Sequence, residues 1–207
     1  MTVPRMLLWL CLLSIAFSVK TQKGEELWTV EPFFGTLSGQ TVTVTSALWA
    51  DGPLTREGQT GPLRPEAAYA LTCLQAELPK ETLAVERGTG YAADVIISGQ
   101  EAGGWLLENA WRFRLIVCQE TEERLRLRYV GPIHAVAMHA LQMDLTEYLL
   151  FLRKTGNAAL LRNGRAVGWI LRVPAGEAVS FVLPEGAAWE ISEDHDGCVI
   201  IAVGSGC

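Results

Sequence analysis

The sequence predicts a mainly β fold, made of antiparallel sandwich-like or barrel-like units with one short helix near residues 144–155. Three observations carry this expectation. Short runs such as Thr41-Val42-Thr43-Val44-Thr45 alternate with period two, the pattern of a half-buried strand. Turn signals follow these runs closely in the last fifty residues, where Asn163-Gly164, Pro174-Ala175-Gly176, Pro184-Glu185-Gly186 and Asp196-Gly197 punctuate the text. One segment carries a clear helix start, Asp144-Leu145-Thr146-Glu147, in the Asp-x-x-Glu form of a capping box.

The chain opens on a different kind of text. Arg5 precedes an apolar run from Met6 to Phe17, and small residues stand at Ala16 and Ser18. This is the layout of a secretory signal peptide cleaved after Ser18. The run is shorter than the roughly 20 apolar residues that span a bilayer. The alternative is an apolar N-terminal anchor seated in an assembly. The expected organisation is therefore residues 1–18 as signal peptide or anchor, 19–130 as a β-sandwich-like domain, and 131–207 as a helix plus β-meander unit. Membrane contact is expected only through residues 1–18, if they stay uncleaved.

Residues 19–27 read as a polar linker. The stretch from Trp28 to Val44 resembles the opening of bacterial immunoglobulin-like modules; the likeness covers few residues, implies no site and assigns no family. Asp51 to Pro65 is rich in Gly, Pro, Thr and Arg and reads as a long loop, a candidate contact surface that includes Arg56 and Arg64. Ala67 to Leu78 suits a strand or a short helix. Leu83 to Arg87 and Ala93 to Ile97 read as strands around Gly88-Thr89-Gly90. Trp105 to Glu108 is a further strand candidate. Trp111 to Val117 and Arg124 to Val130 alternate apolar residues with arginine and read as a hairpin around a charged turn. That pattern places Arg112, Arg114, Arg124, Arg126 and Arg128 on a solvated sheet face.

Gly131-Pro132 ends the first half, and Ile133 to Met143 suits helix or strand. The helix over 144–155 has Leu145, Tyr148, Leu149 and Leu152 at helical spacing, with Gly156 to close it. Asn163-Gly164 then marks a hairpin from Ala159 to Val173.

Charge and cysteine content bound the function. The net charge is −6 and the pI about 5.1, so no nucleic-acid partner is expected. Half of the residues are hydrophobic, 49%, which supports a packed core rather than disorder. Without Cys11, the chain keeps Cys73, Cys118, Cys198 and Cys207, an even set that permits two disulfides in an exported protein.

No nucleophile motif or metal-chelating spacing is present. His134 and His139 are five residues apart, which suits neither a helical nor a strand chelate. Asp194 and Asp196 echo part of an acidic calcium loop and are the weak metal candidates, although Asp-Gly at a turn explains the same residues. Trp49 and Trp105 stand beside glycine-rich text and join Arg56 and Arg64 as interaction candidates. No cofactor is implied.

The expected function is therefore a non-catalytic structural or interaction protein, an exported surface or binding module with a protein partner or self-assembly. The alternatives are a subunit of a virion or cell-surface assembly, and a secreted hydrolase whose site forms only in the fold. The expected location is extracytoplasmic or secreted, or in a virion or cell-surface assembly.

Overall fold

The computed structural model describes residues 26–45, 52–54, 62–78, 82–98, 100–121, 124–194 and 196–205. The expected signal peptide or anchor over 1–18 lies outside them. Among the described residues the fold is mainly β, in antiparallel sheets, with four α-helices. The strands are β1 (Trp28–Pro32), β2 (Gln40–Thr45), β3 (Leu83–Thr89), β4 (Ala92–Ile97), β5 (Leu115–Glu120), β6 (Arg124–Tyr129), β7 (Ala158–Arg162), β8 (Arg165–Pro174), β9 (Ala178–Leu183), β10 (Ala188–Glu193) and β11 (Cys198–Gly204). The helices are α1 (Pro65–Glu77), α2 (Gln100–Asn109), α3 (Pro132–Leu141) and α4 (Leu145–Thr155).

Three sheets form. One has the order β1-β7-β8-β11-β10, a two-stranded ribbon pairs β2 with β9, and a four-stranded sheet has the order β3-β4-β6-β5. The first two strands thus pair with the C-terminal half: Trp28 faces Arg162 and Thr43 faces Ser180. Backbone hydrogen bonding crosses the division drawn near residue 131. Because β1 and β2 enter separate sheets, the Trp28–Val44 stretch does not open an immunoglobulin-like sandwich.

Burial explains the layers. Helices α3 and α4 cover one face of the five-stranded sheet, with Tyr148 and Leu152 against Leu160, Ile170 and Ile200. The β2–β9 ribbon covers the other, with Val44, Phe181 and Leu183 against Val199, Ile201 and Val203. Strand β11 is therefore buried on both sides, and its text Val-Ile-Ile-Ala-Val is continuous rather than alternating. Helices α1 and α2 pack Leu71, Leu74 and Leu106 on Val95, Leu125 and Leu127 of the four-stranded sheet.

Local chemistry fixes several ends. Asn163 and Gly164 both take positive φ, 52° and 76°, the twisted turn that matches a hairpin. Asp144 caps α4: its Oδ1 accepts from the Glu147 amide at 2.8 Å while Glu147 Oε2 accepts from the Asp144 amide at 3.1 Å. Pro65 and Pro132 start α1 and α3, where a missing N–H costs nothing.

Two expectations are revised and one open reading is resolved. Trp105 to Glu108 belongs to α2, because Leu106 and Ala110 turn inward one helical repeat apart. Ala67, Ala70, Leu71 and Leu74 are buried at helical spacing, which resolves α1 as a helix. Ala110 to Phe113 form a 3₁₀ turn that Arg114 ends at φ 65°, so Arg112 and Arg114 are not on a strand. The Trp-Arg-Phe-Arg alternation mimics a strand because a 3₁₀ turn also sends neighbouring side chains apart.

The expected disulfide framework is also corrected. Among the described residues, Cys73, Cys118 and Cys198 form no disulfide and stand on α1, β5 and β11, in different parts of the fold, while Cys207 lies outside the described residues.

Two predictions follow from these contacts. Asp144→Ala removes the cap of α4 and is expected to cost about 1 kcal/mol of unfolding free energy in urea titration. No change in midpoint would show that the cap carries no stability. Burial lowers the pKa of His134 from 6.5 to about 3, and its Nδ1 lies 2.8 Å from the Tyr148 hydroxyl. The unfolded chain therefore binds the proton that the folded chain refuses. Thermal stability should fall as pH drops from 6.5 toward 3, and His134→Gln should flatten that slope. Equal slopes in the two proteins would refute the assignment.

Candidate functional site

The text Arg124-Leu125-Arg126-Leu127-Arg128 on β6 puts its leucines under the helices and its arginines on the outer face of the four-stranded sheet. Register then builds a row across three strands. Arg126 on β6 stands opposite Asp94 on β4, and Asp94 stands opposite Arg87 on β3. Directly opposed residues share a face, so Asp94 sits between two arginines in the row. Arg126 Nη1 donates to Asp94 Oδ1 at 2.9 Å, with both side chains partly exposed. Beside this row, Arg124 Nη2 donates to Glu86 Oε1 at 3.2 Å in open solvent.

Arg128 is different, because it is buried. Its Nε donates to the Pro53 carbonyl at 3.0 Å. The Leu54 amide donates to Ser192 Oγ at 3.1 Å. A Cβ on Gly52 would stand 2.2 Å from the Ile191 carbonyl oxygen, so glycine allows this close approach. The segment 52–54 is thereby fixed between β6 and β10 and walls one end of the charged face.

A second polar cluster joins the two larger sheets. The Tyr129 hydroxyl on β6 donates to Glu190 Oε1 on β10 at 2.8 Å, and Tyr129 stacks on Tyr91 with ring centroids 5.9 Å apart. Burial is the main cause that pushes the Glu190 carboxyl above its ordinary range; Tyr129 and Arg114 oppose the shift and Glu66 adds to it. Burial and the Glu190 charge together push the Tyr129 phenol well up. Tyr91 is raised too, first by burial, then by Glu66, with Arg64 opposing.

Among the residues singled out from sequence, Trp49 and Arg56 lie outside the described residues. Arg64 precedes α1, where its amide donates to the Gly90 carbonyl at 2.7 Å, and its charge acts on Tyr91. Trp105 packs half-buried on Phe113, centroids 6.2 Å apart, as part of the helical layer. Asp194 is buried. Its Oδ2 accepts from Arg172 Nε at 2.6 Å and its Oδ1 accepts the amides of Asp196 and Cys198. Asp196 pairs with Arg153 at 2.6 Å. These carboxylates tie a β-turn to arginines rather than gathering ligands. Among the described residues, no group of three or more His, Cys, Asp or Glu side chains is placed to hold a metal ion.

Sequence spacing pointed to neither polar cluster. Asp94 and Arg126 are 32 residues apart and Tyr129 and Glu190 are 61 apart, and each pair meets only through sheet register or packing. The arginine alternation on β6 is the visible part of the signal, and alone it has the pattern of a solvated face.

No family model matches the chain, and no curated protein matches it. Among solved structures, it is similar to the vancomycin-resistance D,D-dipeptidase VanXYg, crystallised with a D-Ala-D-Ala phosphinate analog. The TM-score is 0.61 at 14% identity, over 79% of this chain and 98% of that one. The likeness is one of fold. The described strands and helices therefore share the fold of that protein. This corrects the expectation of a non-catalytic structural or interaction protein, both as an exported binding module and as an assembly subunit, because the matching fold is that of a hydrolase.

Gly131 tests the second cluster. It takes φ 84°, and a Cβ there would meet Glu190 Oε2 at 1.7 Å. Gly131→Ala should lower unfolding free energy by about 2 kcal/mol or more, from left-handed strain plus a displaced carboxylate. A near-neutral result in urea titration would mean that Glu190 moves aside freely.

Proposed function

We propose that this chain is a hydrolase of the peptidase type that acts on short peptides ending in a free carboxylate. Its substrate lies on the outer face of the four-stranded sheet. The observation that supports this most is the Arg87–Asp94–Arg126 row on a fold that a D,D-dipeptidase shares.

The chemistry of the row suits that substrate. A guanidinium presents a planar fork of donors that matches a carboxylate. Asp94 holds Arg126 in a fixed direction, so less freedom is lost when ligand arrives. The same positive charge also favours the oxyanion that develops when a peptide carbonyl is attacked. The wall formed by residues 52–54 limits how far a substrate can extend along β6, which favours a small one.

The test is release of free amino acid from D-Ala-D-Ala by the purified protein, measured with and without added divalent metal. Turnover is expected, with Arg126→Ala lowering kcat/KM by about 10²-fold. Arg126→Lys should recover only part of the loss, since lysine keeps the charge and loses the fork. Absence of turnover on D-Ala-D-Ala and on a panel of L,L and L,D dipeptides, under both metal conditions, would overturn the reading.

A further inference from the structure

The outer-face row leaves the Tyr129–Glu190 cluster unused. Its parts come from five places. Glu190 stands on β10, the last strand of the five-stranded sheet, and Tyr129 on β6 of the four-stranded sheet. Arg114 ends the 3₁₀ turn, Glu66 lies in the first turn of α1, and Tyr91 precedes β4 with Arg64 acting on it. The Tyr129 hydroxyl gives Glu190 Oε1 its hydrogen bond, whereas the buried Oε2 receives none among the described residues. Gly131 supplies the space that Oε2 occupies.

This contact lies next to the wall of the proposed substrate face. Tyr129 follows Arg128, which holds Pro53. Glu190 is two residues before Ser192, which holds Leu54. One side chain from each sheet therefore meets at Tyr129–Glu190, and the next contacts along the same strands hold segment 52–54.

We propose that the Tyr129–Glu190 contact is a proton-operated tie between the two sheets, closed when Glu190 carries its proton and loosened when Glu190 is ionised. Ionisation strengthens the phenol hydrogen bond to Oε1, but it leaves Oε2 charged and buried without a donor among the described residues, and burial is the larger effect. Protonation removes that charge and keeps the phenol hydrogen bond. Among the described residues, the cation acting on Glu190 is Arg114, and Glu66 opposes it.

The direction of the linkage follows. Glu190 binds its proton more tightly in the folded chain than an ordinary carboxyl with pKa 4.5. Its contribution to stability is complete below that value and is lost as pH rises through the folded-state pKa. The buried His134 works in the opposite direction, so the measurement compares two proteins that both retain it.

The experiment is thermal unfolding of the full chain and of Glu190→Gln, from about pH 4.5 to about pH 7.5. The wild type should lose about 2–4 °C or more relative to the variant across this range. Amide exchange, corrected for the intrinsic pH effect, should speed up in β10 and residues 52–54 of the wild type alone as pH rises. A constant difference in midpoint, or identical exchange in the two proteins, overturns the tie. If Glu190→Gln does not fold, carboxyl carbon NMR of the wild type reads Glu190 directly. A titration within the ordinary carboxyl range then overturns it.

Discussion

Much of this structure turns on the short stretch from Arg128 to Pro132. The chain leaves the four-stranded sheet there and enters the helical layer within four residues. Gly131 makes the change of direction at φ 84°, and the carboxylate of Glu190 fills the space where any other residue would carry its Cβ. Pro132 then starts α3, and Tyr129 reaches across to Glu190. The outward arginines of β6, the helices above its leucines and the contact with β10 all depend on how this joint is held.

The charged groups around the joint are unequal in energy. Exposed pairs such as Arg124–Glu86 contribute little, because water screens them and side-chain freedom is lost. Arg126–Asp94 is partly exposed and adds modest stability. Arg128 is a buried charge, and its bond to the Pro53 carbonyl offsets part of its desolvation. A fold selected for stability alone would place apolar residues at several of these sites. Opposed register places Arg87, Asp94 and Arg126 side by side whether or not they add stability.

How much of this was legible depended on distance along the chain. The Asn163-Gly164 hairpin and the Asp144–Glu147 cap involve neighbours, and the sequence pattern named both correctly. Helix α1 carried its signal in Ala67, Ala70, Leu71 and Leu74, yet small alanines gave weak contrast between faces. Trp111 to Arg114 misled because a tight turn copies strand alternation over four residues. The pairing of β1 with β7 and the meetings Asp94–Arg126 and Tyr129–Glu190 join distant segments, and no local rule reports them. The charged half of the candidate site was visible as arginines; its partners were not.

The start of α3 brings two opposed titrations close together. His134 occupies the third position of the helix, buried against the Tyr148 hydroxyl, and burial keeps it neutral. The positive end of the helix dipole adds to the cost of charging it. Glu190 lies against Gly131 at the same helix start, and there the charge it resists is negative. A helix N-terminus should welcome a carboxylate, so its preference for the neutral form means that burial outweighs the dipole at this position. The helix start is therefore sheltered enough to penalise charge of either sign. Acid charges His134 and rising pH charges Glu190, and each loosens a different neighbour: the first the packing of α3 on α4, the second the contact between the sheets.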